Sequence, residues 1–368
     1  MKTNFDITPL ENWFPGFEKK PLIIAGPCGI ESEEQLYSTA NEINKIPTVK
    51  VLRGGIWKPR TRPDSFEGIG NIGLEWLSKV KKETKLLIMV EVATEKHVEQ
   101  CLKYDIDILW IGARSTSNPF SIQELANVIK GSGIAVMIKN PVNPDLDLWI
   151  GALERFNKAG IKKIAAIHRG FYPFEKTFLR NFPKWEIPIE LKRRIHELPI
   201  ICDPSHISGS TKYIREISQK ALDLNMDGLM IETHICPAKA LSDANQQLTP
   251  GQLKLLLSQL IYRRCSSDDT SFNNQLEQLR EQIDSLDQQM VELLSHRMKI
   301  VENIGKYKAG NNITILQLRR WEQVISKVTD ASKKLGLSEN FIRKLLENIH
   351  NESIQIQTDI MNSIRKKK

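Results

Sequence analysis

The chain carries no Cys-x-x-Cys pair. Its five cysteines, Cys28, Cys101, Cys202, Cys236 and Cys265, are odd in number and widely spaced. That excludes a zinc knuckle and a disulfide framework, and it fits reduced thiols in a cytoplasmic protein. Residues 1–20 hold Asp6, Glu11 and prolines but no apolar stretch of the kind a signal peptide needs. No apolar run reaches the length of a transmembrane helix, so no membrane partner is expected. Short-period repeats and low-complexity segments are also missing. The net charge is +8, yet the basic residues form no long tract beyond Arg365-Lys366-Lys367-Lys368. Nucleic acid is therefore a poor fit, and small anionic substrates are a better one.

What is present is an ordinary globular composition, 40% apolar and 26% charged over 368 residues, with length for two domains. Short apolar runs recur at 22–25, 49–52, 86–90, 108–111, 135–138, 164–167, 199–201 and 229–231. Each closes on or near a polar or sulfur-bearing residue: Cys28, Arg53, Glu91, Arg114, Lys139, His168 with Arg169, Asp203 with His206, and Glu232. Amphipathic stretches such as 35–43, 95–103, 122–129 and 148–159 lie between them. Eight such units in roughly 250 residues predict an α/β fold, a (β/α)8 TIM barrel, whose site gathers at the strand ends.

Two sets of residues should converge there. Cys28, His206, Glu232 and Asp243 combine a thiolate, an imidazole and two carboxylates, a donor set for a divalent transition metal rather than Mg²⁺. Singly, Cys28 reads as a small buried residue and His206 as a structural histidine; together at one barrel mouth they read as ligands. Arg53, Lys58, Arg60, Arg114, Lys139 and Arg169 form the second set. Cations that terminate apolar runs make physical sense where phosphate or carboxylate binds.

The motifs Gly26-Pro27-Cys28, Arg53-Gly54-Gly55-Ile56-Trp57-Lys58-Pro59-Arg60-Thr61, Ile111-Gly112-Ala113-Arg114, Asp203-Pro204-Ser205-His206, and Ile231-Glu232-Thr233-His234 followed by Leu241-Ser242-Asp243 occur in this order. Over residues 20–265 the sequence thereby resembles the type I beta 3-deoxy-D-arabino-heptulosonate 7-phosphate (DAHP) synthases. Sister enzymes making the eight-carbon 3-deoxy-octulosonate phosphate carry Lys-Ala-Asn-Arg where Lys58-Pro59-Arg60-Thr61 stands. The resemblance implies a metal, expected to be Mn²⁺, on Cys28, His206, Glu232 and Asp243. It implies phosphoenolpyruvate with its phosphate on Arg114, Lys139 and Arg169 and its carboxylate near Arg53 and Lys58. Arg60 and Thr61 would take the phosphate of erythrose 4-phosphate, and Asp203 a sugar hydroxyl. Lys58, Asp203 and His206 would act at the reacting atoms. The sequence departs from many relatives at Lys139-Asn140-Pro141, where Lys-Arg-Gly is frequent, and in the polar run Ser115–Phe120.

The pattern changes after residue 265. Residues 266–271 are small, polar and charged and read as a linker between a barrel at 1–265 and a helical domain at 272–368. Residues 272–304 contain neither proline nor glycine. Leu276, Leu279, Ile283, Leu286, Met290, Leu293, Ile300, Ile304 and Tyr307 repeat at helical spacing, with Arg297 in the gap. This predicts one helix of about 35 residues, about 50 Å long. Helices over 318–335 and 338–361 follow, the last N-capped by Ser338. A helix that long cannot bury its seam on shorter partners, so a homodimer is expected.

Arg297 and Lys308 lie on nearly one face of that helix without neighbouring acids on the seam, which suggests an anionic ligand. The series Arg280, Arg297, Lys308, Arg320 and Gln357 resembles the all-helical chorismate mutases. That resemblance implies that Arg297 and Lys308 of one chain and Arg280 of the other bind the carboxylates of chorismate. Lys308 and Gln357 would flank its ether oxygen, with Gln317 and Arg320 in the second helix. Relatives often have Asp where Gln317 stands and Glu where Trp321 stands. The expected whole is a bifunctional enzyme whose barrel is inhibited by prephenate bound in the helical domain. A barrel enzyme with a purely regulatory, dimerising helical module is the alternative.

Overall fold

The computed structural model describes residues 5–58, 64–173 and 177–365. The chain divides into two compact units, Met1–Cys265 and Ser266–Lys368. The first is built on eight parallel strands: β1 (Leu22–Gly26), β2 (Val49–Gly54), β3 (Leu87–Val92), β4 (Ile108–Ile111), β5 (Ala135–Lys139), β6 (Ile164–His168), β7 (Ile200–Cys202) and β8 (Gly228–Glu232). They pair in chain order, and β8 closes on β1 from Leu22 opposite Gly228 to Gly26 opposite Glu232. The expected barrel is therefore present.

Among the described residues ten α-helices accompany the strands. They are α1 (Glu33–Asn44), α2 (Ile72–Thr84), α3 (Glu95–Lys103), α4 (Ala113–Thr116), α5 (Pro119–Ile129), α6 (Leu146–Lys158), α7 (Glu186–Arg194), α8 (Pro204–Ser208), α9 (Ile214–Asp223) and α10 (Pro250–Gln259). Their starts are chemically marked. The side chains of Ser32, Thr94, Asn118 and Asp145 accept backbone N–H bonds at the first turns of α1, α3, α5 and α6. Thr249 and Gln252 form a reciprocal capping box on α10.

Alternation along each strand makes two cores. Ile23 and Ala25 of β1 face the helix layer, while Leu22 and Ile24 point into the barrel with Val51, Met89, Ile108 and Met137. Leu10, Trp13 and Phe17 of the N-terminal lead-in join the interior cluster. Thr8 N donates to Lys162 O and Lys163 Nζ to Trp13 O, so this plug lies at the strand N-termini. The opposite mouth, where polar residues end the strands, is left for chemistry.

The second unit contains α11 (Thr270–Gly310), α12 (Leu318–Lys334) and α13 (Glu339–Arg365). The first helix exceeds expectation: its 41 residues span about 60 Å. Asp269 caps it by accepting Phe272 N. Val301 and Gly305 are its buried residues, whereas Leu279, Ile283, Leu286, Met290 and Leu293 are each more than half exposed. Among the described residues no helix is long and apolar enough to cross a membrane.

Candidate active site

At the C-terminal mouth of the barrel, a cavity of about 300 Å³ is lined by Cys28, Arg53, Lys58, Glu91, Arg114, Lys139, Arg169, Arg180, His206 and Asp243. The sequence-selected cations Arg53, Lys58, Arg114, Lys139 and Arg169 thus reach one space. Arg60 and Thr61 lie outside the described residues.

Gly26 brings β1 and β2 close at this rim. Its φ is +150°, and an added Cβ would stand 2.0 Å from Arg53 O. Cys28 follows two residues later. Its N–H donates to Gln247 Oε1 at 2.9 Å and its thiol to Asp243 Oδ2 at 3.1 Å. Lys58 Nζ lies 2.8 Å from the sulfur and 2.9 Å from Cys28 O. Burial pushes this thiol up to about 12; Glu232 adds to that and Lys58 opposes it.

Sulfur and carboxylate oxygens of Cys28, Glu232 and Asp243 all lie within 4.8 Å of one another. Asp243 adopts a left-handed backbone, φ +52°, which Asp tolerates. Burial works against its charge, but Arg180 and His206 overcome this and hold its carboxyl below the usual range. Glu232 is fully buried, and its Oε1 lacks a hydrogen-bond partner while Oε2 accepts from Gln246. A thiol and two carboxylates, one with an oxygen that accepts no hydrogen bond among the described residues, fit a divalent transition metal. His206 stands beside this trio, Nε2 3.7 Å from Glu232 Oε1, rather than inside it.

Asp203 is the residue expected to take a sugar hydroxyl. It is completely buried: Oδ2 meets Lys139 Nζ at 2.9 Å and His206 Nδ1 at 2.8 Å, and Oδ1 accepts His206 N. Its oxygens hold Lys139 and His206. Burial opposes its charge, but His206 and Lys139 hold its carboxyl well below the ordinary carboxylate range.

Arg53 is 2% exposed, 3.3 Å from Glu232 Oε1, and its Nε and Nη1 have no hydrogen-bond partner among the described residues. Burial opposes its charge, but Glu232 and Cys28 raise its pKa overall. Unmet donors on a buried guanidinium are costly unless a ligand accepts them. Asn140 explains the unusual Lys139-Asn140-Pro141 stretch. Its Nδ2 donates to Pro141 O and Gly170 O, and its Oδ1 accepts Arg169 N, tying the ends of β5 and β6. Arg169 donates to Asn181 Oδ1 at 2.7 Å. Burial lowers its pKa to about 10, with Arg180 and Arg114 adding and Asp203 opposing.

Sequence reasoning missed Arg180 and Trp110. Arg180 donates to Asp243 Oδ1 and Gln246 Oε1, from an irregular segment with no periodic signal. Trp110 reads as plain core within β4, yet Arg53 stands 4.8 Å and Lys139 Nζ 5.9 Å from its ring.

In the helical unit, Arg297 Nη1 donates to Ser353 Oγ at 2.7 Å, and Lys308 donates to Ile315 O. Neither has an ion-pair partner among the described residues. Burial lowers the pKa of Lys308. Gln357 is 7% exposed and its Oε1 is unpartnered among the described residues. Gln317 precedes α12 and contributes its carbonyl to Arg320 N and Trp321 N, without a side-chain cap. Arg320 is exposed. Arg280 is not joined to this group: it pairs with Glu277, and seventeen residues of helix, about 25 Å, separate it from Arg297.

Residues 4–263 match the DAHP synthetase I family. The chain belongs to that family. Residues 279–358 match chorismate mutase type II, so the two domains are fused in one chain. The phospho-2-dehydro-3-deoxyheptonate aldolase of Thermotoga maritima is 33% identical over 238 residues, 65% of this chain and 68% of that one. A 2-dehydro-3-deoxyphosphooctonate aldolase of Wolinella succinogenes is 25% identical over 65% of this chain and 98% of its own length. The crystal structure of the Thermotoga DAHP synthase superposes with a TM-score of 0.59 at 33% identity, covering 64% of this chain and 67% of that one. Its truncated form gives 0.56 at 30% identity, covering 64% and 84%. The DAHP synthase family is in general metal-dependent, and the fusion carries both DAHP synthase and chorismate mutase activities.

Proposed function

We propose that the barrel mouth condenses phosphoenolpyruvate with D-erythrose 4-phosphate, and that the observation carrying this is the buried Arg53, with two donors unmet among the described residues, lining one cavity with Arg114, Lys139 and Arg169. Arg114, Lys139 and Arg169 hold the phosphate of phosphoenolpyruvate, and Arg53 and Lys58 its carboxylate. Arg60 and Thr61 are assigned to the sugar phosphate. These cations offset the repulsion between two anionic substrates and fix their approach. Carbon 3 of phosphoenolpyruvate bonds to the aldehyde carbon, water adds at carbon 2, and the carbon–oxygen bond to phosphate breaks. Asp203 keeps Lys139 and His206 in place during these steps. Cys28, Glu232 and Asp243, with His206 as the adjoining fourth donor, would hold a divalent metal, which would supply Lewis acidity at the aldehyde oxygen. The mixed sulfur–oxygen set favours Mn²⁺ over Mg²⁺.

The test is phosphate release on EDTA-stripped protein, with and without the sugar phosphate, before and after Mn²⁺. Release that requires both supports the reading; no release under any divalent metal defeats it. Cys28→Ala is expected to lose bound metal and activity together, measured by metal analysis beside the assay; full activity with metal retained would remove Cys28 from the ligand set.

For the helical unit we infer that Arg297 and Lys308 bind the carboxylates of chorismate and that Lys308 and Gln357 flank its ether oxygen. The rearrangement to prephenate is pericyclic and needs no nucleophile, so binding the compact conformer and stabilising charge at that oxygen suffice. The exposed apolar stripe of α11 and the remote Arg280 favour a homodimer in which Arg280 serves the partner's pocket.

A further inference from the structure

His350, Ser353 and Gln357 are spaced three and four residues apart and share one face of α13. That face meets α11. Arg297 Nη1 bonds Ser353 Oγ at 2.7 Å, and a Cβ added at Gly305 would stand 3.2 Å from Gln357 Cγ. Gln357 Nε2 donates to Ser353 O, leaving its buried Oε1 unpartnered. At the other end of the face, the His350 ring stacks on Trp321 of α12, with centroids 3.9 Å and planes 13° apart. Burial, then Arg297 and Lys308, keep this imidazole below its usual range and so neutral at physiological pH.

We propose that His350, its ring plane fixed by Trp321, recognises the ring hydroxyl of chorismate. The inference rests on the placement of the substrate against Arg297, Lys308 and Gln357 given above. Chorismate presents two carboxylates, an ether oxygen and one hydroxyl. The two cations answer the carboxylates, and the Nε2–H of Gln357 not given to Ser353 O answers the ether oxygen. A hydroxyl both donates and accepts, and a neutral imidazole has one donor and one acceptor to match it. A protonated imidazole has no acceptor, and burial first, then the cations Arg297 and Lys308, work against that state. The stack sets the plane of the ring nitrogens before substrate arrives, so little ordering is left to binding.

The experiment compares kcat/KM for chorismate and for its analogue with hydrogen in place of the ring hydroxyl, on the full chain. Wild type should prefer chorismate by about tenfold or more. His350→Phe keeps an aromatic ring on Trp321 but removes both hydrogen-bonding atoms. It should bring the ratio close to one through loss on chorismate alone, and His350→Asn should restore part of it. Should His350→Phe not fold, Trp321→Leu frees the imidazole without removing it and should lower the same ratio. An unchanged ratio in the folded variant overturns the proposal. Arg297→Ala separates the two levels. If it suppresses turnover of both compounds, the pocket stands whatever His350 does; undiminished turnover removes the pocket and the inference with it.

Discussion

Trp110 illustrates how one residue can serve packing and chemistry together. It is fully buried, its indole N–H has no partner, and its ring lies under both Arg53 and Lys139. Desolvated cation–π contacts are worth about 2 kcal/mol. Trp110→Leu should therefore raise KM for phosphoenolpyruvate by up to about thirtyfold while leaving bound metal intact. An unchanged KM with lower thermal stability would reduce Trp110 to core. His168 tests a different residue-scale effect. Burial and the neighbouring Arg169 push its imidazole down to about 3, against 6.5 when unfolded. Between those values the unfolded chain binds a proton that the native chain does not. Stability is thus full above pH 6.5, falls as the pH drops through that window, and levels off below about 3. On metal-stripped protein, His168→Leu should show a flatter decline of the urea midpoint on acidification. A slope equal to wild type would show that His168 carries none of it.

At the scale of elements, the strands were legible because each apolar run ends in a residue that chemistry, not packing, selects: Arg53, Lys139, His168 and Glu232. Periodicity finds runs, and an abrupt polar stop finds their ends. Arg180 was illegible because the segment between β6 and α7 has no period to depart from. Trp110 was hidden by the opposite cause, since an aromatic inside an apolar strand looks like filling. Asp203 was read by position as a substrate contact, but its burial and its bonds to Lys139 and His206 were invisible in one dimension. The length of α11 was underestimated because its first turn starts at Asp269, inside the polar stretch that read as linker. Its stripe carries an element-scale prediction. Leu286 and Met290 are 58% and 51% exposed within a continuous apolar row. Leu286→Lys with Met290→Lys should convert a dimer to monomer by analytical ultracentrifugation and lower mutase turnover, since Arg280 would lose its partner pocket. A dimer that survives both changes would place the interface elsewhere.

At the scale of the whole molecule, residues 260–269 carry no helix or strand and join a unit that opens aromatic biosynthesis to one that makes prephenate. We propose that prephenate, held by Arg297 and Lys308, inhibits the barrel. A truncation ending at Cys265 should keep phosphate release but lose prephenate sensitivity; full sensitivity in that truncation would defeat the idea. Linkage adds a stricter demand. Where prephenate weakens phosphoenolpyruvate binding by some factor, phosphoenolpyruvate must weaken prephenate binding by the same factor. Calorimetric titration of prephenate into the full chain, with the barrel empty and then saturated with phosphoenolpyruvate, reads that factor directly. Equal factors from both directions would locate the inhibition in a binding equilibrium shared by the two sites. A prephenate affinity indifferent to phosphoenolpyruvate, alongside persistent inhibition, would mean that the effect falls on turnover, for which no such reciprocity holds.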